Sequence, residues 1–243
     1  MLTFNDFLNE KVNNRLDISI KNADKVKPEK VINSNWVVEE KTDGTKLSII
    51  KFNDEVYVAY KNTLIFQEEF NDVTLRAAKS SMGSSQYKIV WNKIEKRLND
   101  IKKISGNWEF FCEFLMDKPT LTRDYHDKHA IILLSKSKIS KMDVTGIVVK
   151  TNPNEFNTDV DKEAKIFGFD RPKVFFSGNF KTIKDFQNGI KDDRLKKSFI
   201  PSEYDVLPIE QKYTIIKNVF LQLESVYGGK TEGVVLKSGN EFL

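Results

Sequence analysis

Residues 36–50 read Trp-Val-Val-Glu-Glu-Lys-Thr-Asp-Gly-Thr-Lys-Leu-Ser-Ile-Ile, and the order of residue types there predicts strand, turn, strand. Trp36, Val37 and Val38 favour a half-buried pleated surface, Thr42-Asp43-Gly44 is turn chemistry, and Leu47 to Ile50 resumes strand character. Side chains alternate between the faces of a strand, so Glu39, Lys41 and Asp43 project to one side. An amine set between carboxylates at the mouth of a sheet can be held in place while it loses a proton and attacks a phosphoryl group. A charged hairpin merely solvated at the surface would read the same way.

Working outward, Val56–Tyr60 is a third strand, reached through an Asn53-Asp54 turn. Upstream, Thr3, Asp6 and an apolar face of Phe4, Phe7 and Leu8 predict a short helix at 3–11. Val90, Ile94, Leu98 and Ile101 recur at helical spacing between Gln86 and Ile104. Strands follow at 108–115, 130–134 and 147–149, a helix near 162–167, and a strand at 174–176 that ends at Gly178. A helix spans 208–225, with Tyr213, Ile216, Val219, Phe220 and Leu223 inward and Gly228-Gly229 as its stop, and Gly233–Leu236 is the last strand. This order suits an α+β fold on antiparallel sheets, taken as one domain over 1–243.

Composition narrows the class. With 40% hydrophobic and 12% aromatic residues in 243, the chain can build one large core or two small ones. The net charge of +4 permits a phosphate-bearing partner without demanding one. Cys112 is the single cysteine, so no disulfide closes within the chain, and a reducing cytoplasm is the expected setting. No stretch reaches the roughly 18 uninterrupted apolar residues of a spanning helix, so no membrane is expected.

Two further segments carry chemistry. In Trp108-Glu-Phe-Phe-Cys-Glu-Phe-Leu115, Glu113 sits inside an aromatic strand, where an ionised group needs a partner such as a ribose hydroxyl or a metal-bound water. An edge strand with Glu113 in water is the plain alternative. In Thr231-Glu-Gly-Val-Val-Leu-Lys237, Glu232 and Lys237 bracket a buried run, setting an acid and a base at its two ends. Thr145–Lys150 imitates that string but has Thr145 where a carboxylate would stand, and reads as an ordinary strand. His126 and His129, without cysteines nearby, read as a solvated loop. The basic runs 137–141 and 191–197 read as exposed faces.

In this order the segments resemble those of the covalent nucleotidyltransferase superfamily, which comprises DNA ligases, RNA ligases and mRNA capping enzymes. Lys41-Thr42-Asp43-Gly44 resembles the nucleophile motif. Phe111-Cys112-Glu113-Phe114 resembles Phe-Gly-Glu-Phe/Leu with Cys112 in place of Gly. Glu232–Lys237 resembles Glu-Gly-Val-Val-Val-Lys, and Tyr60-Lys61-Asn62-Thr63 stands where Ser-Arg-Asn-Gly is common.

The resemblance implies two antiparallel β-sheets flanked by helices around a nucleotide pocket, with ATP and Mg²⁺ as cofactors. Lys41 would bear AMP, with Glu232 and Lys237 as its catalytic partners. Glu39 would lie beside the adenine, and Glu40 and Thr42 would count with it among the nucleotide contacts. Lys46 and Glu113 would meet the ribose, and Lys61 would serve near ribose and acceptor phosphates as a point charge. Glu232 and Glu113 would be the metal carboxylates. The strand at 129–135 lacks the aromatic-Asp pair of ATP-dependent DNA ligases, which points to the phage-type RNA ligases, with Leu134 or Leu133 covering the base. A Lys-x-Lys motif and a C-terminal domain are expected after Lys237 and are absent before Leu243, so the expectation is either a truncated or split product or a second chain that supplies those lysines. The expected activity is an ATP-dependent RNA ligase acting on RNA or DNA ends. The alternatives are a DNA ligase domain or subunit of a split ligase, a capping guanylyltransferase, and a nucleotide- or nucleic-acid-binding module without turnover.

Overall fold

A computed structural model describes residues 26–42, 44–60, 63–65, 84–115, 129–143, 148–228, 231–238 and 241–242. The predicted helix at 3–11, Asp43, Lys61, Asn62, His126, Gly229 and Thr145–Ile147 lie outside the described residues. In chain order the elements are α1 (Pro28–Asn33), β1 (Trp36–Lys41), β2 (Thr45–Phe52), β3 (Glu55–Tyr60), β4 (Thr63–Ile65), α2 (Ser84–Glu95), α3 (Leu98–Lys102), β5 (Trp108–Leu115), β6 (Ala130–Asp143) and β7 (Val148–Asn157). They continue with α4 (Asp161–Phe167), β8 (Val174–Gly178), α5 (Ile183–Gly189), α6 (Ile209–Leu221), β9 (Gly233–Ser238) and β10 (Glu241–Phe242). Two compact units emerge, one from residues 44–115 and 129–171, the other from 26–42 and 172–242.

The first unit holds a six-stranded antiparallel sheet in the order β4-β3-β2-β5-β6-β7. Asn53 and Asp54 both take left-handed φ angles (49° and 65°), which lets β2 and β3 close tightly and suits short polar side chains. Alternation puts Leu47, Ile49, Phe110, Cys112 and Phe114 on one face, and that face packs against Val90, Ile94, Ile101, Ala164 and Phe167 from α2, α3 and α4. Phe110 meets Phe167 edge to face, with ring centroids 4.9 Å apart. The helical run expected through 86–104 is two helices, because the chain turns at Lys96–Arg97 without a Gly or Pro to mark it. β6 is far longer than the apolar segment 130–134 suggested: its second half, rich in Ser and Lys, is held by pairing with β7. β7 carries Pro153, which a strand at the sheet edge tolerates because one side of its backbone needs no ladder partner.

The second unit has a four-stranded antiparallel sheet, β10-β9-β1-β8, packed by α1, α5 and α6. Its core is aromatic: Trp36, Phe175, Phe176, Phe180, Phe186, Tyr204 and Phe220 are all buried. The polar tips of this core are satisfied, with Trp36 Nε1 donating to the Val31 carbonyl (2.9 Å) and Tyr204 Oη to the Phe180 carbonyl (2.6 Å). α6 ends at Leu221, four residues before the predicted end at 225, because Val226 N donates to the Glu40 carboxylate and draws the chain off the helix. The strand, turn, strand order read over 36–50 is present as β1 and β2. β1 pairs with β8 and β9, while β2 pairs with β3 and β5, so the two belong to different sheets. Among the described residues no helix is long and apolar enough to cross a membrane.

Candidate active site

In the second unit, β1 lies between β8 and β9, and the register sets Val37 opposite Lys237, Glu39 opposite Val235 and Lys41 opposite Gly233. Odd-numbered residues of both strands therefore share one face. Lys237 reaches diagonally to Glu39 and forms an ion pair with 11% and 8% side-chain exposure. At the end of the strand, Lys41 Nζ donates to Glu232 Oε1, and here the two side chains are 38% and 31% exposed. One pair is sealed and the other is open to a substrate. Glu232 is presented by a turn in which Gly233 N donates to Thr231 Oγ1 (2.9 Å) just before β9 begins. Thr42, immediately after Lys41, is buried.

Glu40 is engaged elsewhere. It lies on the opposite face of β1 from Lys41, buried, and accepts from Val226 N (3.3 Å). Burial pushes its carboxyl above the usual range, while hydrogen bonds from Ser225 and Val226 and the charge of Arg194 oppose the rise. Arg194 is itself anchored by a two-pronged bond to Asp192, Nε to Oδ1 and Nη2 to Oδ2, both 2.8 Å. Those hydrogen bonds hold the Asp192 carboxyl well below the ordinary carboxylate range. Glu40 thus ties the segment leading to Glu232 against the back of β1, on the face away from Lys41, where a nucleotide contact was expected of it.

In the first unit, Lys46 and Glu113, both assigned to the ribose by the resemblance, face each other across β2 and β5. Glu113 Oε1 accepts from Gly44 N (2.9 Å), so the carboxylate holds the entry to β2. A Cβ on Gly44 would stand 2.5 Å from Glu113 Cγ and 2.9 Å from the Phe114 carbonyl oxygen, which explains a glycine there. Cys112, between Phe111 and Glu113, points the other way into the core, where burial pushes its thiol pKa up. Replacing glycine by cysteine at this position therefore leaves the Glu113 face untouched.

Leu134 is the extra residue of a bulge in β6, at the register shift opposite Phe111 and Cys112, and is half-buried. Leu133 is sealed in the core, so of the two only Leu134 remains a candidate to cover a base. Arg171 fixes this bulge: its Nη1 donates to the carbonyls of Leu133 and Leu134, its Nη2 to that of Thr158 (3.0 Å) and its Nε to Asp161 (2.8 Å). Sequence reasoning missed Arg171, a lone charge in a loop, and read Asp192 and Arg194 as part of the exposed run 191–197, whereas Asp192 is buried and caps the 3-10 turn that carries Arg194. Among the described residues no group of three or more His, Cys, Asp or Glu is arranged to hold a metal ion.

A sequence profile of the RNA ligase family matches residues 34–242, a span that starts before β1 and ends on β10. The chain belongs to the RNA ligase family. Among solved structures it is similar to Naegleria gruberi RNA ligase. An alanine mutant without ligand gives 12% identity and a TM-score of 0.43, with 86% of this chain and 48% of that one covered. The structure with PPi gives 13%, 0.42, 86% and 48%, and a mutant with AMP and Mn gives 14%, 0.41, 89% and 50%. This RNA ligase family member thus spans about half the length of those chains. A comparison with curated proteins finds no match.

Proposed function

We propose that this chain takes AMP from ATP onto Lys41 as the first step of joining RNA ends. The observation that carries the proposal is the Lys41–Glu232 contact, half-open to solvent, at the end of a strand inside the family match. The Lys41 amine attacks the α-phosphorus of ATP, the N–P bond forms, and the bond to pyrophosphate breaks. Its proton has an acceptor already in contact, Glu232 Oε1. The lysyl-AMP then passes AMP to a 5′-phosphate, and a 3′-hydroxyl displaces AMP to seal the strands. Because the moving group is strongly anionic, placement and charge neutralisation carry most of the catalysis.

Lys237 adds a fixed positive charge on the same strand face, held by its sealed pair with Glu39. Mg²⁺ bound to a nucleotide takes most of its oxygens from phosphates and water and needs only one or two protein carboxylates. Glu232, one-third exposed beside Lys41, would offer the ion a carboxylate, and the ion would neutralise the leaving pyrophosphate. Incubation with radiolabelled ATP and Mg²⁺, followed by denaturing electrophoresis, tests the reading. The unaltered chain should be labelled, chelation with EDTA should stop it, and Lys41→Ala should remove the label while keeping the fold. A covalent label on Lys41→Ala would reject Lys41 as the nucleophile.

A further inference from the structure

The six-stranded unit contains a second feature, on the sheet face away from Glu113. Along β5, Trp108 shares the helix-covered face of Phe110, Cys112 and Phe114, whereas Glu113 lies on the other. Beside Trp108 opens a cavity of about 570 Å³ between β5, β6, α3 and α4, within the roughly 300–1,000 Å³ typical of ligand sites. Its floor is the Lys136–Glu163 pair (2.6 Å), with Lys136 Nζ also 4.9 Å from the Trp108 ring centroid. Ile104 and Ile166 add apolar wall.

The charge balance of this cavity is one-sided. Glu163 is neutralised by Lys136, and Asp100 by Lys103 (3.6 Å). Arg97, Lys162 and Lys165 remain on its exposed rim with no ionic partner among the described residues. Lys162 and Lys165 stand one turn apart on α4, an arrangement that costs repulsion unless an anion lies between them. Gly168, at the end of α4 with φ 65°, leaves room for the Arg97 guanidinium 3.4 Å from where a Cβ would be. Each cavity carboxylate faces a lysine, and the five cations of the lining outnumber the two carboxylates. What remains is a set of cations suited to phosphates spaced along a strand.

We propose that this cavity grips the phosphate backbone of single-stranded RNA, independently of its sequence and apart from the nucleotide site. The choice of RNA over another polyanion rests on the ligase reading above. The test measures fluorescence anisotropy of a 5′-fluorescein single-stranded RNA bound to the full chain across a KCl series. Lys162→Glu with Lys165→Glu should weaken binding on the order of tenfold and lower the log–log salt slope by about 1.4, at about 0.7 for each lost phosphate contact. Lys191→Glu with Lys197→Glu, an equal change of charge in the other unit, should leave both at wild-type values. The double α4 variant should still label with radioactive ATP, and its melting curve should match wild type.

Unchanged RNA affinity and slope in the α4 variant would overturn the proposal, and so would an equal loss in the control pair. Loss of ATP labelling with RNA binding intact would also overturn it, by assigning the cavity to free nucleotide. If the unaltered chain fails to label but the α4 variant still loses RNA, the adenylylation reading falls and this one stands.

Discussion

The two sheets treat their charged residues differently. On β1 and β9 of the four-stranded sheet, every reacting candidate is a cation paired with a carboxylate: Lys237 with Glu39, Lys41 with Glu232. On β2 and β5 of the six-stranded sheet, Glu113 is held by a backbone N–H at Gly44. Within the first sheet the pairs differ again, since Glu39 and Lys237 are sealed while Lys41 and Glu232 are about one-third exposed. The difference separates stability from chemistry. A sealed pair strongly penalises loss of one partner, whereas an open pair leaves its amine free to change partners when a substrate arrives.

The sharpest way to break this comparison is on activity. Glu232→Gln should slow AMP labelling on the order of 10²-fold, because it removes the proton acceptor in contact with Lys41, yet change stability by less than about 1 kcal/mol since the pair is exposed. Single-turnover labelling and urea melts read the two quantities side by side. Lys237→Met should do the reverse on stability, costing roughly 3–5 kcal/mol by stranding the Glu39 carboxylate in a buried site. Adding Glu39→Leu should recover most of that loss in the same melts. A Lys237→Met variant as stable as wild type would erase the distinction between the pairs.

Smaller effects sharpen the picture away from the pairs. Asp192→Asn should cost about 1.5–3 kcal/mol at neutral pH by weakening the fork to Arg194. Because the folded Asp192 pKa is depressed, its contribution is present above the unfolded value of about 3.9 and fades as pH falls below it. Wild type and variant should therefore converge in stability on acidification. Gly44→Ala should cost on the order of 1–3 kcal/mol, since its Cβ must push against Glu113 and the Phe114 carbonyl. Thermal unfolding checks it, and a neutral result would mean that the Gly44–Glu113 contact is loose.

Much of this was readable in the chain. The aromatic and β-branched run 108–115 predicted β5, and the alternation at Glu39 and Lys41 placed both on one face, because strand period depends only on residue order. The polar second half of β6 and the early end of α6 were not readable. Both are set by contacts from distant segments, β7 in one case and Glu40 in the other.

The strand that sets Glu39 and Lys41 on one face and the antiparallel α+β class follow from local pattern, which the sequence carries by itself. Only the tertiary structure decided that β1 and β2 go to different sheets, that Lys237 is locked to Glu39, and that Glu40 turns its back on Lys41. Pairing partners are chosen by burial and hydrogen-bond satisfaction summed over segments as far apart as residues 41 and 232. No short window of residues contains that sum.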